Sequence, residues 1–298
     1  EQMQLLAVAE ALAKHATASQ DLDPCALRFV LGQRVKSFAK PPAPLGPPDW
    51  LWALHSEAQD TLVAANVPER ATWPHVRELG LALWARNPTV VRSITERLAK
   101  VAFAGVRGDR REPMEAAIWY LALDKKTALI ALLKAVRDQK MLEFFSHDFS
   151  KEEWQLAALK NAYFLLGKRR YELAVTFFLL AGRDQLKAAL NVCVKNLEDL
   201  HLAVWLARLI EGDGGPQLRR LLEEHLLPLA HAQADPWLES IALWLLKRYP
   251  DALSALLTST RPAAPAPAPS LSSSSSSLSA GGGSAPAPGS PLSTSSSS

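Results

Sequence analysis

Seven histidines, two cysteines and two pairs of neighbouring carboxylates are the side chains of this 298-residue chain best suited to metal binding or acid–base work. The histidines are His15, His55, His75, His147, His201, His225 and His231. None stands three or four residues from another, the spacing that places two imidazoles on one helix face for zinc, and no HExxH occurs. His225 and His231 are six apart, fall on different helix faces and are interrupted by Pro228. All seven read as surface or satisfied groups. Glu152-Glu153 and Glu223-Glu224 are adjacent, but helical neighbours point about 100° apart and would not share a proton. They read as solvated faces. Cys25 and Cys193 have no metal or redox spacing and read as reduced, buried thiols of a cytosolic protein. GxxxxGK[ST], GxGxxG and GxSxG are all missing. The RGD triplet at Arg107–Asp109 reads as a chance occurrence in a polar loop. No catalytic, cofactor-binding or metal-ligating residue is therefore assigned. A helical enzyme with a site assembled from scattered residues is kept only as a third reading.

Two basic clusters carry more information. Lys125-Lys126 and Lys168-Arg169-Arg170 each fall at the junction of two predicted helices. There a cation meets the C-terminal dipole of the preceding helix, or else presents a surface to an acidic protein or to anionic headgroups. These five residues form the candidate partner surface. Overall charge is nearly balanced, +3 from 33 basic and 30 acidic residues. A pI of 8.9 without a basic face is no nucleic-acid footprint, so no nucleic-acid partner is expected.

The elements that must position these groups are helices. Alternating β-branched patterns are absent, and Ala and Leu dominate. Helices are predicted near 2–18, 24–39, 49–65, 73–86, 89–104, 113–124, 126–145, 151–166, 169–181, 184–196, 198–211, 215–232 and 236–257. Short connections predict antiparallel hairpins. The organisation expected is an N-terminal helical segment (1–39), a proline-rich linker (40–48), an α-solenoid domain (49–260) and a tail (261–298). The linker, KPPAPLGPP, holds five prolines, which fix φ and remove donors. The tail is almost wholly Ser, Ala, Pro and Gly, too poor in apolar residues to offset its ordering entropy, and is read as disordered. The chain begins with Glu1 in what looks like an amphipathic helix, so it reads as part of something longer.

Ten uncharged residues run from Leu173 to Gly182. At 1.5 Å per residue they make about 15 Å of helix, half of a hydrocarbon layer, so no transmembrane segment is predicted. Tyr171, Ala174, Val175, Phe178 and Gly182 share one face; Leu173, Phe177 and Leu180 line another. A helix apolar on more than one side is buried between neighbours, with Gly182 stopping it at C′. AIWYLAL at 117–123 and AVWLARL at 203–209 repeat the composition, which suggests hairpin-sized units stacked as a solenoid. In FSKEEW, Ser150 and Glu153 have the spacing of a capping box, with Phe149 and Trp154 as its staple. Trp119, Trp154 and Trp205 are assigned to the core; Trp50 and Trp52 are candidate anchors for a neighbouring domain.

From about Trp50 to Asp213 the chain resembles the large subunit of the RAVE complex and its animal counterparts, the DmX-like or rabconnectin proteins. The most specific stretch is MLEFFSHDFSKEEWQLAALKNAYFLLGKRRYELAVTFFLLAG. ELGLALWARNPTVVRSITERLAKVAF, AAIWYLALDKKTALIALL and KAALNVCVKNLEDLHLAVWLARLIEGD also match, and LDPCALRFVLGQRV more weakly. The resemblance implies an all-α solenoid that follows WD-repeat propellers in a non-catalytic scaffold. That scaffold promotes assembly of the vacuolar-type proton ATPase (V-ATPase) on acidic organelles. Implied partners are V-ATPase subunits and other RAVE or rabconnectin components. The implied location is cytoplasmic, peripheral to vacuole, endosome or Golgi membranes. The motif residues Phe149, Trp154, Lys160, Asn161, Gly167, Phe177, Phe178 and Gly182 match the family pattern and are expected to be mainly structural. A trafficking-coat or tethering scaffold of the same stacked-hairpin build is the alternative.

Overall fold

A computed structural model describes residues 22–105, 108 and 111–259, all within one helical unit. The predicted helix at 2–18, His15, Arg107 and Asp109 of the RGD triplet, and the 261–298 tail lie outside the described residues. Among the described residues there is no strand.

Prolines mark many of the helix starts, because the first helical position needs no N–H donor. Helix α1 (Pro24–Phe38) is followed by α2 (Pro47–His55), α3 (Gln59–Asn66), α4 (Trp73–Glu78), α5 (Leu81–Trp84), α6 (Pro88–Ala104) and α7 (Pro113–Ala122). Then come α8 (Lys126–Val136), α9 (Gln139–Ser146), α10 (Glu152–Gly167), α11 (Tyr171–Leu180), α12 (Leu186–Lys195) and α13 (Leu200–Glu211). The last are α14 (Pro216–Leu221), α15 (Leu227–Gln233), α16 (Pro236–Leu245) and α17 (Tyr249–Ser259). Sequential hairpins pack α6 on α7, α10 on α11, α11 on α12 and α16 on α17, with α7 also against α11. α1 packs on α2 across the intervening prolines.

Five of the hairpin turns share one backbone device. Asp124, Arg137, Arg169, Ala234 and Lys247 sit at C′ with φ between 49° and 62°. In each, the next N–H reaches back five residues, as in Arg248 N–H to the Leu243 carbonyl (2.9 Å) and Arg170 N–H to that of Leu165 (3.0 Å). This is the Schellman closure, made here without glycine. It corrects two expected helices: 126–145 breaks at Arg137, and 236–257 breaks at Lys247. The expected 49–65 helix breaks at Ser56, and 73–86 breaks at Gly80, where φ is 68° and Trp50 lies against the glycine. The reverse correction holds at Pro228. A π turn over Leu222–Leu226 carries the helical path from α14 into α15, so the proline without its N–H sits in α15 without interrupting it.

Two aspartates each cap one helix and clasp a second element. Asp23 Oδ1 accepts from Cys25 and Ala26 N–H at the start of α1. Its Oδ2 accepts from the Ser56 hydroxyl (2.7 Å) and the Glu57 and Ala58 N–H groups (2.8 and 3.0 Å). Burial acts to raise its pKa, but those donors, Ser56 first, outweigh it and hold the carboxyl at about 2. Asp199 Oδ1 accepts from Leu202 N–H in α13, while Oδ2 takes the Trp73 indole N–H (2.7 Å) and the Arg77 guanidinium (3.3 Å).

One continuous core runs from Ala26 to Ala255. The expected inner helix, α11, is buried on most of its circumference, with Ala174, Val175, Thr176, Phe177, Phe178 and Leu180 enclosed. Trp119 and Trp205 are buried as expected, whereas Trp154 is half-exposed. Trp50 and Trp52 are absorbed by this unit itself: Trp50 stands edge-on to His201, and Arg28 of α1 lies over Trp52. Cys193 is buried, but Cys25 only partly, which corrects the expectation for that thiol. The stack is more than nearest-neighbour. Arg208 of α13 donates to the carbonyls of Ala82 (2.7 Å) and Ala85 (2.6 Å), closing the C-terminal end of α5 across more than 120 residues of sequence.

Candidate interaction surface

Helix α10 is the element on which the sequence motifs converge, and its start differs from expectation. Ser150 does not cap it; the Asp148 carboxylate takes the Ser150 N–H at 3.0 Å in a turn ahead of the helix, and Lys151 occupies the cap position without a side-chain bond. The local aspartate outcompetes the capping box. Trp154 consequently stacks on His147, with ring centroids 3.3 Å apart, while Phe149 and Trp154 both approach Phe144.

Helix α10 fully buries only Ala158 and Ala162, small side chains that let its backbone approach α11. The motif residues divide accordingly. Phe177 and Phe178 are core. Gly182 stands at C′ of α11 with φ 116°, a conformation that favours glycine. Asn161 spends its amide on the Ala157 carbonyl (3.0 Å). Lys160 and Gly167, by contrast, are exposed, and nothing lies within 4 Å of where a Gly167 side chain would begin. Leu156, Tyr163 and Phe164 are exposed with them, Phe164 at 63%. Tyr163 meets Phe178 edge-on at 5.2 Å, so its ring shields a core aromatic while presenting its other side outward.

The basic residues form two separate groups. Lys125 binds Glu96 (2.6 Å) and, through that hydrogen bond first, depresses the glutamate's pKa. Lys126 donates to the His147 carbonyl (2.8 Å) and lies 4.9 Å from the Phe149 ring centre. It therefore closes the C-terminal end of α9 rather than that of α7, the preceding helix expected to meet it. Lys168, Arg169 and Arg170 are exposed at the far end of α10, with Lys168 over the Phe164 ring at 5.7 Å. Sixteen helical residues, about 24 Å, separate the two groups. Arg169 and Arg170 border a cavity of about 490 Å³ shared with Glu112, Glu115 and Glu172.

The histidines stay scattered. His55 stands edge-on to Trp244, with burial and then Arg86 lowering its pKa; His75 meets the Asn66 carbonyl; His231 pairs with Glu239. His201 departs from the satisfied reading: it is half-buried, its enclosed Nδ1 lacks a partner, and burial pushes its pKa down. Among the described residues no three His, Cys, Asp or Glu side chains gather as a metal site, and no helix is long and apolar enough to cross a membrane.

A stack of helical hairpins, with no strand among the described residues, belongs to the class of all-α, helical-repeat solenoids. The family model described as RAVE protein 1 C terminal matches residues 1–277, and the chain belongs to that family. It is 35% identical over 293 residues to DmX-like protein 1 of Mus musculus, covering 86% of this chain and 10% of the relative. It is 36% identical over 267 residues to "Regulator of V-ATPase in vacuolar membrane protein 1" of Saccharomyces cerevisiae, covering 87% of this chain and 19% of that protein. The Schizosaccharomyces pombe protein of the same name is 33% identical over 217 residues. The chain thus spans about a tenth to a fifth of the length of these relatives.

Proposed function

We propose that this chain is a non-catalytic scaffold segment that promotes assembly of the V-ATPase, working at the cytoplasmic face of acidic organelles as a peripheral component. Membership of the RAVE C-terminal family carries this reading, supported by relatives named as V-ATPase regulators. The segment acts by holding partners close, raising their effective concentration. V-ATPase subunits and other RAVE or rabconnectin components are the partners proposed, and Lys168, Arg169 and Arg170 belong to the surface that meets them. The Lys125 and Lys126 charges are engaged by Glu96 and by the end of α9, which leaves them a supporting role at the opposite end of α10.

Binding of the purified full chain to the isolated peripheral, ATP-hydrolysing sector of the V-ATPase tests this directly. Saturable binding is expected; retention no greater than that of an unrelated helical-repeat protein would overturn it.

A further inference from the structure

Helix α10 carries an apolar stripe that no part of the described chain covers. Leu156, Lys160, Tyr163, Phe164 and Gly167 recur at steps of four, three, one and three residues. At about 100° per residue they fall within an arc of about 100°, and they extend for about 16 Å along the axis. All five are exposed, and two large aromatic side chains stand next to one another there. Isolated exposed apolar residues are ordinary; a contiguous row along one helix face is the mark of an interface. Gly167 is the second, independent sign. It is the last residue of α10, and no neighbour demands its lack of a side chain. Its effect is to leave the end of the stripe open for close backbone approach.

Charge selects the occupant. Lys160 lies within the stripe, and Lys168, Arg169 and Arg170 follow its C-terminal end. No ion pair to any of these four occurs among the described residues. The stretch from Trp154 to Tyr171 contains no acidic residue. At the opposite end Glu153 lies in the same arc and Glu152 at its edge, both exposed. A flat anionic membrane pressed on this face would meet those two carboxylates. An elongated partner, acidic at one end only, would not.

We propose that the Leu156–Lys168 face of α10 is the docking seam for an amphipathic helix of a protein partner. That helix sets its apolar side on Leu156, Tyr163 and Phe164 and places acidic residues against Lys160 and Lys168. This deepens, and rests on, the scaffold reading above. The mode is helix against helix, with anchors at i, i+3, i+4 and i+7.

The test measures affinity of the full chain for the purified V-ATPase peripheral sector, comparing wild type with Phe164→Glu, Lys168→Glu and the distant surface control Lys140→Glu. Phe164 and Lys168 are exposed, so unchanged circular dichroism and thermal midpoint are expected for every variant. Both α10 changes are expected to weaken binding at least tenfold, with the control within twofold of wild type. A photo-crosslinker at position 164 is expected to capture an acidic, helical peptide of the sector. Wild-type binding that neither α10 variant alters would overturn the docking seam while leaving the scaffold reading intact. No wild-type binding would instead remove the scaffold reading on which the seam depends. Three further outcomes would overturn the seam: capture of residues 2–18 of the same chain, self-association lost in Phe164→Glu, or binding to phosphatidylserine vesicles lost in that variant while sector binding persists.

Discussion

Replacing Arg208 with alanine removes the joint that ties α13 to the end of α5. Its side chain is almost fully enclosed and donates to the Ala82 and Ala85 carbonyls, with Asp213 at 2.6 Å from Nε supplying the counter-charge. Asp213 is half-exposed, so water can resolvate it once the arginine is gone. The carbonyls are the larger loss. Each gives up a charge-assisted bond worth roughly 1.5–3 kcal/mol and becomes a helix-end acceptor buried without a donor. Removing one partner of a buried charged network typically costs about 3–5 kcal/mol, and that is the expected destabilisation. For a unit of this size, each kcal/mol corresponds to a drop of roughly 2–4 °C in Tm. Urea unfolding followed by tryptophan fluorescence measures it, because buried Trp84 and Trp205 lie on the two elements being joined. Arg208→Lys should recover part of the loss, since an ammonium can satisfy one carbonyl but lacks the planar fork that reaches both. A change below about 1 kcal/mol in Arg208→Ala would refute the claim that the first and last thirds of the stack are locked through this side chain.

Three other perturbations test other links. Lys247→Gly and Arg137→Gly should each stabilise the unit by up to about 1 kcal/mol, because glycine accepts left-handed φ without the Cβ penalty; a loss in Tm would contradict the turn assignment. The Asp23 carboxyl is held at about 2, below its ordinary 3.8, so its contribution is present above pH 4 and lost as pH falls towards 2. Asp23→Asn should therefore flatten the acid limb of the stability–pH curve, and an unchanged limb would show that the cap is not what titrates. Phe178→Ala should cost about 3–5 kcal/mol as a core truncation, while Phe164→Ala stays within about 0.5; equal costs in thermal denaturation would place the two rings on the wrong sides of α10 and α11.

Helix identity was legible because it rests on local signals. The run from Leu173 to Gly182 announces a buried helix by being apolar on all sides, and Pro24, Pro88, Pro113, Pro216 and Pro236 stand at first helical positions. Helix ends were legible near Asp124 and Asn196 but were missed at Ser56, Gly80, Arg137 and Lys247. Arg137 and Lys247 turn the chain with charged, β-carbon-bearing residues, and their closure is a backbone hydrogen bond that any side chain permits. The long-range joints were invisible for the same reason: Arg208 recognises two main-chain carbonyls, and no letter at 82 or 85 signals an acceptor.

The open seam on α10 eluded sequence reading for a different physical reason. Periodicity reports that residues share a helix face, but not whether that face is covered. In LAALKNAYFLLG the row Leu156, Tyr163, Phe164 and the row Ala158, Ala162, Leu165 both satisfy helical spacing. A rule that buries the larger side chains would turn the first row inward. Packing selects the second, because two alanines permit α10 to approach α11, whose own inner surface already holds Phe177 and Phe178. With the aromatic volume supplied by α11, Tyr163 and Phe164 face out, and the basic turn that follows gives this apolar row its polarity. Interaction chemistry in such a stack is therefore set by which of two neighbouring helices fills the core first. Exchanging bulk across the α10–α11 contact, as in Ala158→Phe with Phe178→Ala, should rotate α10 and bury its seam; partner binding that survives the rotation would mean that the seam is not where the partner sits.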